Sequence, residues 1–457
     1  MIRGFPGCKA AALWLCPFLA WSAEAPFRIE VVDRENGWPV PLVELRTTHQ
    51  QSFFTDNAGL LAVDELDLLG REIWFNISSD GYQVKPDGFG SAGVRVKVEP
   101  GKKHRLEIER TMIAKRLGRL TGAGLFAHAA KLGEPVPLEE SGVMGSDSVL
   151  VARYRGQIFW LWGDTSIPEY PLGNFNSTAA TTAASPLAKF QPPLAMRYEY
   201  LRDDHKLRGV APIPGNGPTW LGAMTSVKNR AGEEKLVATY SKIEGHLDEY
   251  EIGLCVFDDA RGIFTPVRRI WKKGDGTKPA VPRGHPFRWR DQDGKGWLLF
   301  GDPFPTLKCP ATFEAWSDPA QWLAVSPPPS PRDAGGAEIA PHRGSVCWNA
   351  HLGRWITIFT QNFGKPSAFG EIWYAEADSP LGPWGTAVKV LSHRNYTFYN
   401  PRIQHELTAP DSPFILFDGT YTAEFANHAT PTPRYNYNQI LYRLDLDDPK
   451  LSDARKK

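Results

Sequence analysis

Ile158-Phe159-Trp160-Leu161-Trp162-Gly163-Asp164-Thr165 is a run of five apolar residues that ends in an aromatic and is followed at once by Gly-Asp. Similar runs recur as Leu236-Val237-Ala238-Thr239-Tyr240, Trp297-Leu298-Leu299-Phe300, Trp355-Ile356-Thr357-Ile358-Phe359 and Phe414-Ile415-Leu416-Phe417. After a longer first interval the closing aromatics fall about 60 residues apart, a period that belongs to blade-like repeats.

Each run follows a turn: Arg155-Gly156, Arg230-Ala231-Gly232, Asp291-Gln292-Asp293-Gly294, Leu352-Gly353 and Ala409-Pro410-Asp411. Further strand candidates follow, among them Tyr250-Glu251-Ile252-Gly253-Leu254-Cys255, Glu371-Ile372-Trp373-Tyr374-Ala375 and Gln439-Ile440-Leu441-Tyr442. An evenly spaced β-sandwich would have the same strands and turns, but it does not require three features to repeat together. The reading is therefore an all-β chain whose residues 142–450 form a five-bladed β-propeller.

Ahead of the repeats, Phe27-Arg28-Ile29-Glu30-Val31-Val32 and Val94-Arg95-Val96-Lys97-Val98 alternate with period two, and Asp56-Asn57-Ala58-Gly59 marks a turn. These predict a small β-sandwich over 26–111. The run Asn36-Gly37-Trp38-Pro39-Val40-Pro41-Leu42-Val43, with Thr55 to Gly59 and Ser79-Asp80-Gly81-Tyr82, resembles the carboxypeptidase-regulatory-like, transthyretin-like family, which implies a non-catalytic accessory module. Residues 112–141 show no sustained period and read as a linker packed on the second domain.

Residues 1–25 carry Arg3 and Lys9, then an apolar stretch from Ala10 to Leu19, then small residues near Ala23 and Ala25. That is the pattern of a signal peptide, so the protein is expected to be secreted or periplasmic. The apolar stretch is too short for a membrane span, and no later one approaches that length. A formal net charge of +1 over 457 residues gives no field that would gather nucleic acid. Beyond the leader only Cys255, Cys309 and Cys347 remain, without CxxC spacing, so at most one disulfide is expected and no thiolate metal site. No histidine spacing matches a zinc pattern, and no phosphate-cradling loop or nucleophile elbow is present, so no metal and no cofactor are assigned.

In a blade, the start of the first strand, the end of the second and the start of the third share one face, because the strands are antiparallel. Asp147 and Asp164 then meet at one mouth. Counting fifteen residues back from each closing aromatic gives Thr225, His285, Gly344 and Arg402 as equivalents of Asp147; two residues forward gives Lys242, Asp302, Gln361 and Gly419 as equivalents of Asp164. The mouth is expected to gather Asp147, Asp164, His285, Asp302 and Arg402, with Arg343, Asn400 and His405 beside them and Glu371 at the start of a third strand. Convergent ionisable groups of this kind mark functional sites. For any one of these acids the alternative role is that of a turn residue capping backbone N–H groups.

Gly163-Asp164-Thr165, with Asp147 upstream and Asn176-Ser177-Thr178 downstream, resembles the DUF4185-type and related five-bladed propeller glycoside hydrolases. Gly370-Glu371-Ile372-Trp373-Tyr374-Ala375 followed by Ser379-Pro380-Leu381-Gly382-Pro383-Trp384 is similar to the same group. The resemblance implies a carbohydrate-active propeller with Asp147 and Asp164 as catalytic acids and Glu371 as a third. The expected partner is a poly- or oligosaccharide, held by His285, Asp302, Arg343, Asn400, Arg402, His405 and Tyr435. Trp220, Trp289, Tyr170 and Trp384 are candidates for stacking on sugar rings. Two other readings use the same residues: a glycan-binding propeller without turnover, and a polysaccharide lyase in which Arg recognises a uronate while His or Tyr abstracts a ring proton.

Overall fold

The computed structural model describes residues 1, 25–137, 141–174, 176–184, 190–245, 247–365, 367–394, 396–426 and 430–455, so nearly all of the leader lies outside the described residues. The chain is almost entirely β. Phe27–Asp33 pairs antiparallel with Leu60–Val63 and parallel with Lys103–Arg110, and a second four-stranded sheet joins Ser52–Phe54, Glu44–Thr47, Glu72–Ser78 and Gly93–Lys97. Alternate residues such as Ile29, Val31, Leu45, Phe75 and Val96 are buried between them. The turn at Asp56 to Gly59 needs its glycine: φ is +67°, and a Cβ there would lie 2.6 Å from the Val31 carbonyl oxygen.

Five consecutive four-stranded antiparallel sheets follow. Their middle strands are Gln157–Trp162, Glu234–Glu244, Gly296–Gly301, Arg354–Gln361 and Phe414–Thr422, each containing one of the five apolar runs. These strands read as unbroken apolar runs because both of their faces are buried. Ile158, Trp160 and Trp162 pack with Leu416 and Leu441 of blade five, whereas Phe159 and Leu161 pack with Leu236 and Cys255 of blade two. Further clusters join blades two and three through Val237 and Leu298, three and four through Leu299 and Val346, and four and five through Ile358 and Phe417. Blade five returns to blade one: Ser148 N–H donates to Thr420 Oγ1 at 2.9 Å and Ser146 N–H to the Tyr437 carbonyl at 2.8 Å.

The fourth strand of blade five does not come from the C-terminus. It is Lys115–Arg119, paired with Asn438–Asp445, and it lies within the stretch expected to be a linker. The strand escapes pattern reading because four of its five residues are buried, including Arg116 and Arg119, so no polar alternation shows. Arg116 fixes the junction of the two domains. It donates to Tyr442 Oη at 3.0 Å in the propeller, and to Ser79 Oγ at 2.8 Å and the Asp80 carbonyl at 2.6 Å in the sandwich. The same linker stretch contributes a short helix, Ala127–Lys131, whose first N–H groups donate to Asp56 Oδ2.

Cys255, Cys309 and Cys347 are all buried and free. Among the described residues no helix is long and apolar enough to cross a membrane.

Candidate functional site

The inner strands of blades two, four and five are irregular near the same end. Register shifts fall between Gly222 and Thr225, between Pro341 and Gly344, and between Tyr399 and Arg402. Ser148, Ala223 and Asn400 have φ of +30°, +49° and +53°, and Gly284 has +71°. Bulges re-aim side chains, and those carried here turn toward the axis of the propeller. Asp147, Ser148, His285, Arg343 and Asn400 thus line a cavity of about 260 Å³, completed by Asp164, Asp302 and Trp220 from neighbouring positions.

Asp147 and Asp164 are backbone neighbours, the Asp147 N–H donating to the Asp164 carbonyl at 2.9 Å. Their carboxyl groups have different surroundings. Asp147 Oδ1 accepts the hydroxyls of Ser148 and Tyr399, each at 2.6 Å, and the Tyr437 hydroxyl also bonds this carboxylate. Burial pushes the Asp147 pKa up, while the three hydroxyls and the more distant Arg343 oppose that rise. Among the described residues, the Asp164 carboxylate accepts the Trp220 indole N–H at 3.2 Å. Burial, with the Asp147 charge added, raises Asp164 to about 6. A carboxylate supplied with three hydroxyl donors beside a carboxyl raised to about 6 is an arrangement that can offer a base or nucleophile next to an acid.

Around this pair, Asp302 accepts Arg343 Nη1 at 3.1 Å and the Gly344 N–H at 2.9 Å. Burial and the charges of Arg402 and Arg343 push His285 well below its usual value, so it is a neutral imidazole. Asn400 donates to Ser148 Oγ, while its Oδ1 is buried without a partner and remains a free acceptor at the cavity. Among the described residues no group of His, Cys, Asp and Glu is arranged to hold a metal ion.

Four expected site residues lie elsewhere. Glu371 is 3% exposed and paired with Lys389 on the neighbouring strand of blade four, away from the cavity. Arg402 follows the bulge of its strand, and the count that placed it at the mouth is two residues off, one from the bulge and one from a longer hairpin than in blade one. It is buried against Glu406, Gln404 Oε1 at 2.7 Å and the Val151 carbonyl at 3.1 Å. His405 sits at the far end of the channel, beside Glu406. Tyr435 is buried at the domain junction, its hydroxyl donating to the Thr55 carbonyl at 2.6 Å.

Of the aromatic candidates, Trp220 lines the cavity, Tyr170 is exposed, Trp289 is half-buried, and Trp384 is buried on Phe304 at 5.3 Å between ring centres. Sequence reasoning did not assign Tyr399, Tyr437 or Glu424 to the site. Burial and the Asp147 charge raise the Glu424 pKa. Tyr399 adjoins Asn400 and Tyr437 stands two residues after Tyr435, but sequence position alone does not tell which of these neighbours faces inward.

No known protein family matches the chain, and no curated relative does. Solved structures do match. An exo-1,5-alpha-L-arabinanase from a bovine ruminal metagenomic library is 12% identical, with 67% of this chain and 95% of that one covered and a TM-score of 0.38. A Bacillus subtilis arabinanase is 13% identical over 66% and 96% at 0.35, and an exo-beta-1,3-galactanase from Phanerochaete chrysosporium is 11% identical over 65% and 60% at 0.37. Likenesses this distant carry no argument about activity.

Proposed function

We propose that the protein is an exported glycoside hydrolase of the five-bladed propeller type, cleaving a poly- or oligosaccharide at the Asp147–Asp164 mouth. One observation carries the reading: two carboxyl groups at one cavity, the first fed by three hydroxyl donors and the second raised to about 6. Glycosidic cleavage needs both roles, a proton for the departing oxygen and a carboxylate that attacks the anomeric carbon or activates water. Asp164 supplies the proton. Asp147 supplies the carboxylate, with Tyr399 and Tyr437 as neutral donors, since burial and the Asp147 charge hold both phenols well above their ordinary values. Asn400 Oδ1, Arg343 and Asp302 face the same space and would take sugar hydroxyls.

The lyase arrangement is less well supported, because Arg402 is engaged by Glu406 and Tyr435 is buried at the domain junction. The test is incubation of the mature protein with neutral and acidic glycans. New reducing ends are expected, whereas unsaturated-uronate absorbance would assign a lyase, and binding with neither signal a non-catalytic module.

Two outcomes follow from the geometry. A general acid must be protonated, so kcat/KM is expected to fall as pH rises through about 6, read as the alkaline limb of a pH–rate profile. A flat profile from pH 5 to 8 would remove Asp164 from that role. Trp220→Phe keeps an aromatic wall but deletes the bond to Asp164, a donor that holds its pKa down. The alkaline limb of this variant should therefore move upward, with kcat at pH 5 changed less than threefold or so.

A further inference from the structure

The central channel has a second mouth. Each inner strand passes from the Asp147 end to an opposite end, where Arg153, Arg288, Trp348, Trp355, His405 and Glu406 line a separate cavity of about 350 Å³.

Three features of this cavity point to a ligand. Glu406 is 2% exposed; its Oε1 is taken by Arg402 and His405, while its Oε2 has no partner. A buried carboxylate oxygen without a donor costs stability unless something supplies one. Next, Arg153 and Arg288 are exposed at the rim and, among the described residues, bonded only to carbonyls. Arg153 donates to Ala184 at 3.1 Å and Glu406 at 2.6 Å, and Arg288 to Ser226 at 2.7 Å. Arg402 and Glu406 cancel, so the two rim guanidiniums leave a net positive cavity. Finally, Trp348 is 47% exposed and stands edge-on to Trp355 at 5.6 Å, which fixes its ring while leaving a face open.

We propose that this rear cavity is a second carbohydrate site, selective for uronate-bearing oligosaccharides and independent of the acid pair. The guanidiniums of Arg153 and Arg288 take the sugar carboxylate through charge-assisted hydrogen bonds. Glu406 Oε2 accepts a ring hydroxyl, and Trp348 receives the apolar face of the sugar. No bond is made or broken here. A polymer held at this face stays near the protein while the opposite mouth is free.

The test is calorimetric titration of tetragalacturonate into the full chain carrying Asp147→Asn, which prevents turnover. Binding is expected, weakened roughly tenfold or more by Arg288→Ala, by Trp348→Ala and by 0.5 M salt. Trp220→Ala, at the front cavity, should leave it unchanged. Both rear side chains are exposed, and unchanged melting curves would show that the fold survives. Absence of binding overturns the proposal. So does binding that survives both rear substitutions, or that is lost in Trp220→Ala, which would place the acidic glycan at the front mouth. Hydrolysis on the other face is read separately as reducing ends, so failure of either reading leaves the other intact.

Discussion

Asp164→Asn is expected to lower kcat by roughly a thousandfold, within the range that a positioned acid contributes, while raising the melting temperature at pH 7. The two effects share one cause. The folded-state pKa, about 6, lies above the ordinary 3.8, so between these values the folded chain binds more protons than the unfolded one. Stability therefore falls as pH rises through that window, and the loss is complete above about 6. A neutral amide still accepts the Trp220 N–H and removes the cost of ionising a buried carboxyl. The gain in melting temperature should vanish below about pH 4, where the wild-type group is protonated in both states. Activity retained within fivefold would remove Asp164 from the mechanism. Asp147→Asn should be equally inactive for a different reason, since an amide can neither attack the anomeric carbon nor activate water. Deleting the Asp147 charge should also return Asp164 toward the ordinary carboxyl range, visible by carboxyl NMR.

Arg116→Ala carries the largest expected effect on folding, a loss of about 3–5 kcal/mol, the range for emptying the site of a large buried side chain and leaving carbonyls without donors. The truncation leaves a void between the Tyr82 and Tyr442 rings, each centred within 6 Å of the guanidinium carbon (5.4 and 5.8 Å). It also strips donors from the Pro41, Leu42 and Asp80 carbonyls. Arg116→Lys should rescue little, because an ammonium cannot span acceptors arranged for a planar fork. Denaturant unfolding and limited proteolysis would read the change, with earlier cleavage between the domains. A loss below 1 kcal/mol would mean that apolar contacts alone hold the sandwich to the propeller.

Much of the architecture was legible because the middle strands are buried on both faces, which writes them as apolar runs with little polar interruption. The front mouth was legible in blade one, where Asp147 and Asp164 flank a regular hairpin. It blurred in blades four and five. There the inward positions are Arg343 and Asn400, one and two residues before the counted Gly344 and Arg402, because hairpin length and an inserted residue both shift the count, and a bulge leaves no hydrophobic signature. Tyr435 and Tyr437 stand two residues apart in the same polar segment, yet one serves the domain junction and the other the carboxylate pair. Glu371 was placed correctly on its strand, but Lys389, which neutralises it, comes from a neighbouring strand that pattern reading does not pair.

The origin of the last strand in blade five sets a constraint on how the chain is made. Lys115 and its ion-pair partner Asp445 are 330 residues apart, so during synthesis the early strand waits, with one edge unpaired, until Asp445 and its strand have emerged. Long-range pairing of this kind is slow and leaves strand edges open to other chains in the meantime. The ring is completed only when Asn438–Asp445 emerges, and until then the waiting edge is the kind of surface a holding chaperone would have to cover.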